Sequence, residues 1–199
     1  MLDRLYLTFV SRVLGGERVA IGRDTRRSGP MLEAALAAGL ASEGAEVVVL
    51  GVVPTPAVAW WSARANAPAA MVSASHNPFP DNGIKLFAAG GLKLAESTEA
   101  RLEREIGRLT GWQPPEGDGV PRQRPESDDA ARPTGDAVGT LAAEDVLEGY
   151  AASVAASIAG RRLDGLRAVV DCAHGSAGVV APGVLRSLGV DVEVLHAEP

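Results

Sequence analysis

Arg18-Val19-Ala20-Ile21-Gly22, the run from Met31 to Ser42, and Glu46-Val47-Val48-Val49-Leu50 are apolar segments set close together, and their order decides the fold. Val47, Val48 and Val49 with Leu50 form a continuous, largely β-branched stretch without polar alternation, the mark of a strand covered on both faces. The first segment has the same character. Between them Met31, Leu32, Ala35, Leu36, Gly39 and Leu40 recur at helical spacing. Ser28 or Gly29 is placed to cap that helix, with Pro30 in its first turn and Gly44 to stop it. Strand, helix and strand in this order make a βαβ unit. The expectation is an α/β fold: a mixed, mostly parallel sheet with helices on both faces (α/β/α).

Ligands of open α/β sheets bind beyond the carboxyl ends of the strands, so the loops leaving those ends carry the functional candidates. Arg23-Asp24-Thr25-Arg26 follows the first strand. It reads either as a solvated turn with an internal Asp to Arg pair or as a ligand loop, since arginine suits bidentate contact with phosphate. A richer segment is Met71-Val72-Ser73-Ala74-Ser75-His76-Asn77-Pro78-Phe79-Pro80-Asp81-Asn82-Gly83-Ile84-Lys85-Leu86-Phe87. Ala69 to Val72 read as the end of a buried strand, and Pro78 forbids its continuation. Asn82-Gly83 is a turn dipeptide, after which Ile84 to Phe87 return as a strand with one cation, Lys85. Two hydroxyls, an imidazole, a carboxamide and an amine on one tight loop are the parts of an activated nucleophile with nearby acid and base groups. Ser75 and His76 are neighbours, and neighbouring side chains on an extended backbone point apart, which argues against a hydrolase triad.

Ser73-Ala74-Ser75-His76-Asn77-Pro78 with Asp81-Asn82-Gly83-Ile84-Lys85 resembles the phosphoserine loop of the α-D-phosphohexomutases, most closely that of the bacterial phosphoglucosamine mutase family. The resemblance implies that Ser75 carries a phosphoryl group and passes it to the 1- or 6-hydroxyl of a sugar phosphate through a bisphosphate. The reaction implied is interconversion of glucosamine 6-phosphate and glucosamine 1-phosphate, for UDP-N-acetylglucosamine and peptidoglycan synthesis. By the same resemblance His76 and Lys85 assist proton transfer and phosphate contact, and Arg23 and Asn77 are substrate or support residues. Gly22 to Arg26 with Ser28-Gly29 is similar to a family motif that buttresses the catalytic centre. Mg²⁺ is the implied ion, and Ser75 is its one ligand in this chain, through the phosphate; such hard oxygen ligands suit that ion. The family's carboxylate metal loop, which would supply the other ligands, and its sugar-selecting segments would lie beyond Pro199, so the isolated chain is expected to be inactive. Phosphomannomutase or phosphoglucomutase activity, or a non-catalytic truncated module, are the alternatives.

Outward from these loops, Pro54-Thr55-Pro56 opens a helix, with Thr55 as its cap, that carries Trp60 and Trp61 as core residues. Gly90-Gly91 turns the chain toward Leu92-Lys93-Leu94, and Ser97-Thr98-Glu99 begins a charged, solvated helix. Thr110 to Gly139 concentrates proline, glycine and charge and reads as a surface excursion. A helix is expected from about Ala143 to Ala159, then a second βαβ unit over Leu166 to Leu195. The expected domains are therefore residues 1–140, holding the Ser75 loop, and 141–199, the beginning of a second, similar α/β domain. An amphipathic helix over Leu2 to Leu14 precedes the first strand, and Met1 to Gly16 shows no equivalent of the family's first glycine-rich strand.

The 199 residues, 46% of them hydrophobic, suffice for at least one sizeable core. A net charge of −6 without a basic cluster argues against nucleic acid as a partner. No apolar run approaches the roughly 20 residues needed to cross a bilayer, so the expectation is a cytoplasmic protein with no membrane contact, whose partner is a phosphosugar. Cys172 is the single cysteine and reads as a small buried hydrophobe. Asp171, His174 and Ser176 read as turn residues in a small-residue loop.

Overall fold

A computed structural model describes residues 17–110 and 133–198. The helix expected over Leu2 to Leu14, most of the excursion expected over Thr110 to Gly139, and Pro199, the last residue of the expected second domain, lie outside them. The first sheet contains β1 (Arg18–Arg23), β2 (Glu46–Val52), β3 (Ala69–Val72), β4 (Ile84–Ala88), β5 (Leu92–Lys93) and β6 (Leu141–Ala143), in the spatial order β5-β4-β3-β1-β2-β6. β1 runs parallel to both β2 and β3, and β6 is parallel to β2, whereas β3–β4 and β4–β5 are antiparallel. The sheet is mixed and mostly parallel.

Helices cover both faces, which explains why the inner strands are apolar at every position. Val19, Ile21, Val47, Ala70 and Val72 face α1 (Gly29–Ser42) and α3 (Glu96–Thr110), where they meet Leu36, Leu40 and Leu102. Ala20, Val48, Ala69 and Met71 face the other way, against Ala57, Val58 and Trp61 of α2 (Thr55–Ala65). Trp61 is core. Trp60 is half-buried, edge-on to Tyr150 with ring centroids 6.0 Å apart. Gly22 lies where β1 slips register against β2; a Cβ there would sit 2.6 Å from methyls of Val53 and Val58, so only glycine lets α2 approach so closely. Pro54, not Thr55, occupies the cap position of α2, and Thr55 is its first residue.

The helix expected from about Ala143 to Ala159 is corrected at its start. Leu141 to Ala143 form a strand that pairs with β2, not the start of a helix, and α4 (Leu147–Ala156) begins later. Val146, Leu147 and Tyr150 join the core beneath α2. The change of sheet falls between β6 and β7. The second unit holds β7 (Arg167–Asp171), α5 (Ala181–Ser187) and β8 (Asp191–Leu195), a parallel pair with its crossover helix, as expected.

Ser62 ties the antiparallel edge to α2 from a fully buried position. Its hydroxyl lies 2.6 Å from the Ala67 carbonyl and 3.0 Å from that of Ala88, so its one hydrogen serves either, and it accepts the Gly91 N–H at 3.1 Å. Ser62→Ala should lower stability by about 1–3 kcal/mol, the cost of leaving buried polar groups unpaired. Urea unfolding measures it; an unchanged midpoint would mean that those groups find other partners.

Candidate active site

β1 and β3 end side by side, with Arg23 opposite Val72, and their loops leave the carboxyl edge of the sheet together. The Asp24 N–H donates to the Val72 carbonyl at 3.0 Å, and the Val53 N–H to that of Arg23 at 3.0 Å. Beyond this edge the chain from Ser73 to Gly83 closes on itself, the Ser73 N–H donating to the Gly83 carbonyl at 2.8 Å. Within it are turns closed by Asn77 N–H to Ala74 O (3.1 Å) and Asp81 N–H to Pro78 O (3.0 Å). Ser75 stands at φ +56°, in the left-handed region that costs a non-glycine residue about 1–2 kcal/mol. Its N–H donates to the Ser73 hydroxyl at 3.0 Å. Ser73 is buried and Ser75 is exposed. The loop therefore presents one serine and is held by the other.

Arg26 holds the same loop from beneath. Its Nη2 donates to the carbonyls of Ser75 and Asn77, both at 2.9 Å, and its Nη1 to those of Pro78 (2.7 Å), Asp81 (2.9 Å) and Phe79 (3.2 Å). Nε is turned to Asp24 Oδ2 at 3.2 Å, and Asp24 Oδ1 accepts the Arg26 N–H at 3.0 Å. The Arg26 and Asp24 side chains are only 11% and 13% exposed. In a planar trans peptide the C=O and the next N–H point in opposite directions. Carbonyls gathered on Arg26 thus turn the His76, Phe79 and Asn82 N–H groups to the far side. The peptides after Asn77 and Phe79 end in proline nitrogens, Pro78 and Pro80, and have no N–H to leave there. An outward face with donors and a hydroxyl suits an anionic oxygen.

Asn82 fastens the return of the loop. Its Nδ2 donates to the Ser28 hydroxyl at 2.9 Å and its Oδ1 accepts the Gly83 N–H at 2.8 Å. Ser28 occupies the cap position of α1 as expected, but its hydroxyl makes no capping bond there. His76 and Asn77 are exposed on the loop. Lys85 is exposed on β4 opposite Met71, in the wall of a groove of about 530 Å³ that Glu99 and Glu103 of α3 also line. Arg23 ends β1 with its Nε 3.0 Å from Glu33 Oε2, and so braces α1, not the loop. Among the described residues no hydrogen bond links Ser75 to His76 or Lys85, and no cluster of three or more His, Cys, Asp or Glu is placed to hold a metal ion. The carboxylate ligands expected beyond Pro199 fall outside the described residues.

Among the described residues the second unit reaches this edge through one hydrogen bond: the Thr25 hydroxyl donates to the His174 carbonyl at 2.7 Å. Asp171 acts as a turn residue, its Oδ1 accepting the Ala173 N–H (2.9 Å) and lying 3.0 Å from His196 Nδ1. That N–H, and then His196, hold its carboxyl below the usual range.

Residues 4–110, more than half of the chain, match the phosphoglucomutase/phosphomannomutase family, alpha/beta/alpha domain I. The chain belongs to that family. It is 48% identical over 182 residues to a protein named phosphoglucosamine mutase from Salinispora tropica, and 50% identical over 182 residues to one of the same name from Frankia casuarinae. Each alignment covers 90% of this chain and 36% of the relative, so the chain spans about a third of their length. Among solved structures, a putative phosphomannomutase from Thermus thermophilus superposes with a TM-score of 0.72 at 28% identity, over 100% of this chain and 42% of that one. A phosphoglucomutase/phosphomannomutase family protein from Burkholderia thailandensis gives 0.68 at 27%, over 98% and 39%.

Sequence reasoning included Arg26 in the loop and in the buttressing motif but gave the support role to Arg23; what it missed is that Arg26 is the residue that holds the Ser75 loop. Its signal was Asp24 two positions earlier, beside a loop with more carbonyls than N–H donors. Removing the Asn82 carboxamide should loosen the loop without disturbing the sheet. Asn82→Ala is expected to lower stability by about 1–2 kcal/mol, the worth of two hydrogen bonds, and to hasten proteolytic cutting between Ser73 and Gly83. Cutting at the wild-type rate would show that Arg26 alone suffices.

Proposed function

We propose that the complete protein containing this chain is a phosphoglucosamine mutase and that Ser75 is its phosphoryl carrier. The observation that carries the reading is the exposed Ser75 hydroxyl, set on a left-handed residue in a loop whose carbonyls gather inward on Arg26. The names of the relatives at 48–50% identity support the choice of sugar. In the reaction the phosphorus–Oγ bond of phosphorylated Ser75 breaks as a bond forms to O1 or O6 of the sugar phosphate; the sugar hydroxyl gives its proton to a base, and the leaving Ser75 Oγ takes up a proton from an acid to become the free hydroxyl. The resulting 1,6-bisphosphate returns its other phosphate to Ser75. His76, beside the phosphate, and Lys85 on the returning strand are the proposed proton-transfer and phosphate-contact groups; Asn77 and Arg23 are support. Sugar phosphates are charged and stay where they are made, which makes the cytoplasm the expected compartment.

The described residues fit Mg²⁺ only in part, since Ser75 offers one oxygen through its phosphate and no carboxylate cluster accompanies it among them. A bound Mg²⁺ supplies charge neutralisation to phosphoryl transfer. The residues of this chain supply position: the hydroxyl, the loop and the donors around it.

Intact mass and peptide mapping of the complete protein after incubation with glucosamine 1,6-bisphosphate test the assignment. One phosphate on Ser75 is expected; a stable phosphate on Ser73 instead would overturn it. The same preparation given glucosamine, mannose and glucose phosphates should turn over the first fastest. A phosphomannomutase, as the Thermus neighbour is named, would reverse that order. Lys85→Ala should lower turnover by a factor of about 10² to 10⁴, the usual scale for acid/base groups. Unchanged kinetics would return Lys85 to the surface.

A further inference from the structure

We infer that Arg26 is the positioning residue of phosphoryl transfer, setting the place of the Ser75 oxygen without touching substrate. The inference rests on Ser75 as carrier. A guanidinium has five N–H donors in a fixed plane and no acceptor. Here Nε is turned to Asp24, Nη2 to the carbonyls of Ser75 and Asn77, and Nη1 to those of Pro78, Asp81 and, at greater length, Phe79. Every N–H is taken by the protein, and the side chain is 11% exposed. Arg26 therefore has no donor left for a sugar phosphate, although arginine is the residue type usually assigned to that contact.

What Arg26 does control is backbone direction. The Ser75 carbonyl points at Nη2, so that peptide fixes ψ of Ser75, while the preceding peptide, whose N–H is held by the Ser73 hydroxyl, fixes its φ; together they set the direction in which the Ser75 side chain departs. With carbonyls from Ser75 onward tied to one rigid plane, its Cβ cannot swing without breaking several bonds together. Lysine would keep the charge but not the fan, because three donors on one nitrogen cannot span carbonyls from Ser75 to Asp81. Arg23, three residues earlier and engaged with Glu33, makes no such contact.

The test uses the complete protein and Arg26→Lys. Turnover should fall about 10²-fold, the usual cost of a reacting group misplaced by about an ångström. KM for the sugar phosphate should stay within about threefold, because no ground-state contact is lost. Hydrogen exchange should quicken at the amides of His76, Asn77, Phe79 and Asp81 to Gly83, while β1 and β3 stay protected. Wild-type turnover overturns the inference. So does a raised KM at unchanged turnover, which would make Arg26 a phosphate ligand, and so does faster exchange throughout the first sheet, which would make it a folding residue. If Arg26→Lys does not fold, Asp24→Asn, which removes the charge that orients Nε, should give the same pattern more weakly; its absence there also overturns the inference. A wild-type protein without mutase turnover or Ser75 phosphate would defeat the assignment of Ser75. The exchange comparison would still decide whether Arg26 holds the loop.

Discussion

One nearly buried guanidinium decides where the loop around Ser75 lies. A charge at 11% exposure is tolerated only if its hydration is replaced, and here the replacement is one carboxylate and the oxygens of five peptide groups. Hydrogen bonds to a charged group contribute about 1.5–3 kcal/mol each, against about 0.5–1.5 for neutral ones. Even a fraction of that sum exceeds the 1–2 kcal/mol or so that the left-handed backbone of Ser75 costs. The strain persists because the surrounding bonds over-determine it, as the positive φ of a serine beside a proline-rich turn requires.

That clamp works only because the sheet delivers its two halves to the same edge. β1 and β3 are adjacent, parallel and in register to their last pair, Arg23 and Val72, so the segment bearing Arg26 and the segment bearing Ser75 start within one hydrogen bond of each other. Apolar residues along the inner positions of β1 and β3 are what put helices on both faces. With the faces covered, the carboxyl edge is left as the place for polar loops. The reversal at Gly83 into antiparallel β4 then anchors the far end, so the loop hangs between two strands of one rigid sheet.

How far each part could be read from the sequence follows from the kind of interaction that makes it. The inner strands declare themselves, since a run such as Val47-Val48-Val49 has one environment that suits it. The exposed Ser75 likewise depends on residue type, whereas the turn expected at Asn82-Gly83 falls earlier, closed by the Asp81 N–H on the Pro78 carbonyl, with neither Asn82 nor Gly83 at positive φ, because the Asn82 side chain is spent on Ser28 and the Gly83 N–H. β6 does not declare itself: Leu141-Ala142-Ala143 is short and exposed, with little β-branched character, and it is a strand because β2 offers an unpaired edge. The role of Arg26 was hidden for a deeper reason. Its partners are backbone carbonyls, which every residue has, so nothing in the identities of Ser75 to Asp81 marks them as acceptors. Arg23 and Arg26 are the same residue type in the same loop, and only the geometry separates the one that braces α1 through Glu33 from the one that holds the loop.

The same short loop also meets the second unit, and the two contacts are of very different strength. Asp24 and Arg26 turn inward to the Ser75 loop, while Thr25 between them turns outward to the His174 carbonyl. A single neutral hydrogen bond at the surface is worth about 1 kcal/mol. The clamp consists of several charge-assisted bonds that must break together. If the second unit shifts, the Thr25 bond therefore gives way before the Arg26 fan does, and the Ser75 oxygen keeps its place. The loop geometry thus belongs to the first sheet.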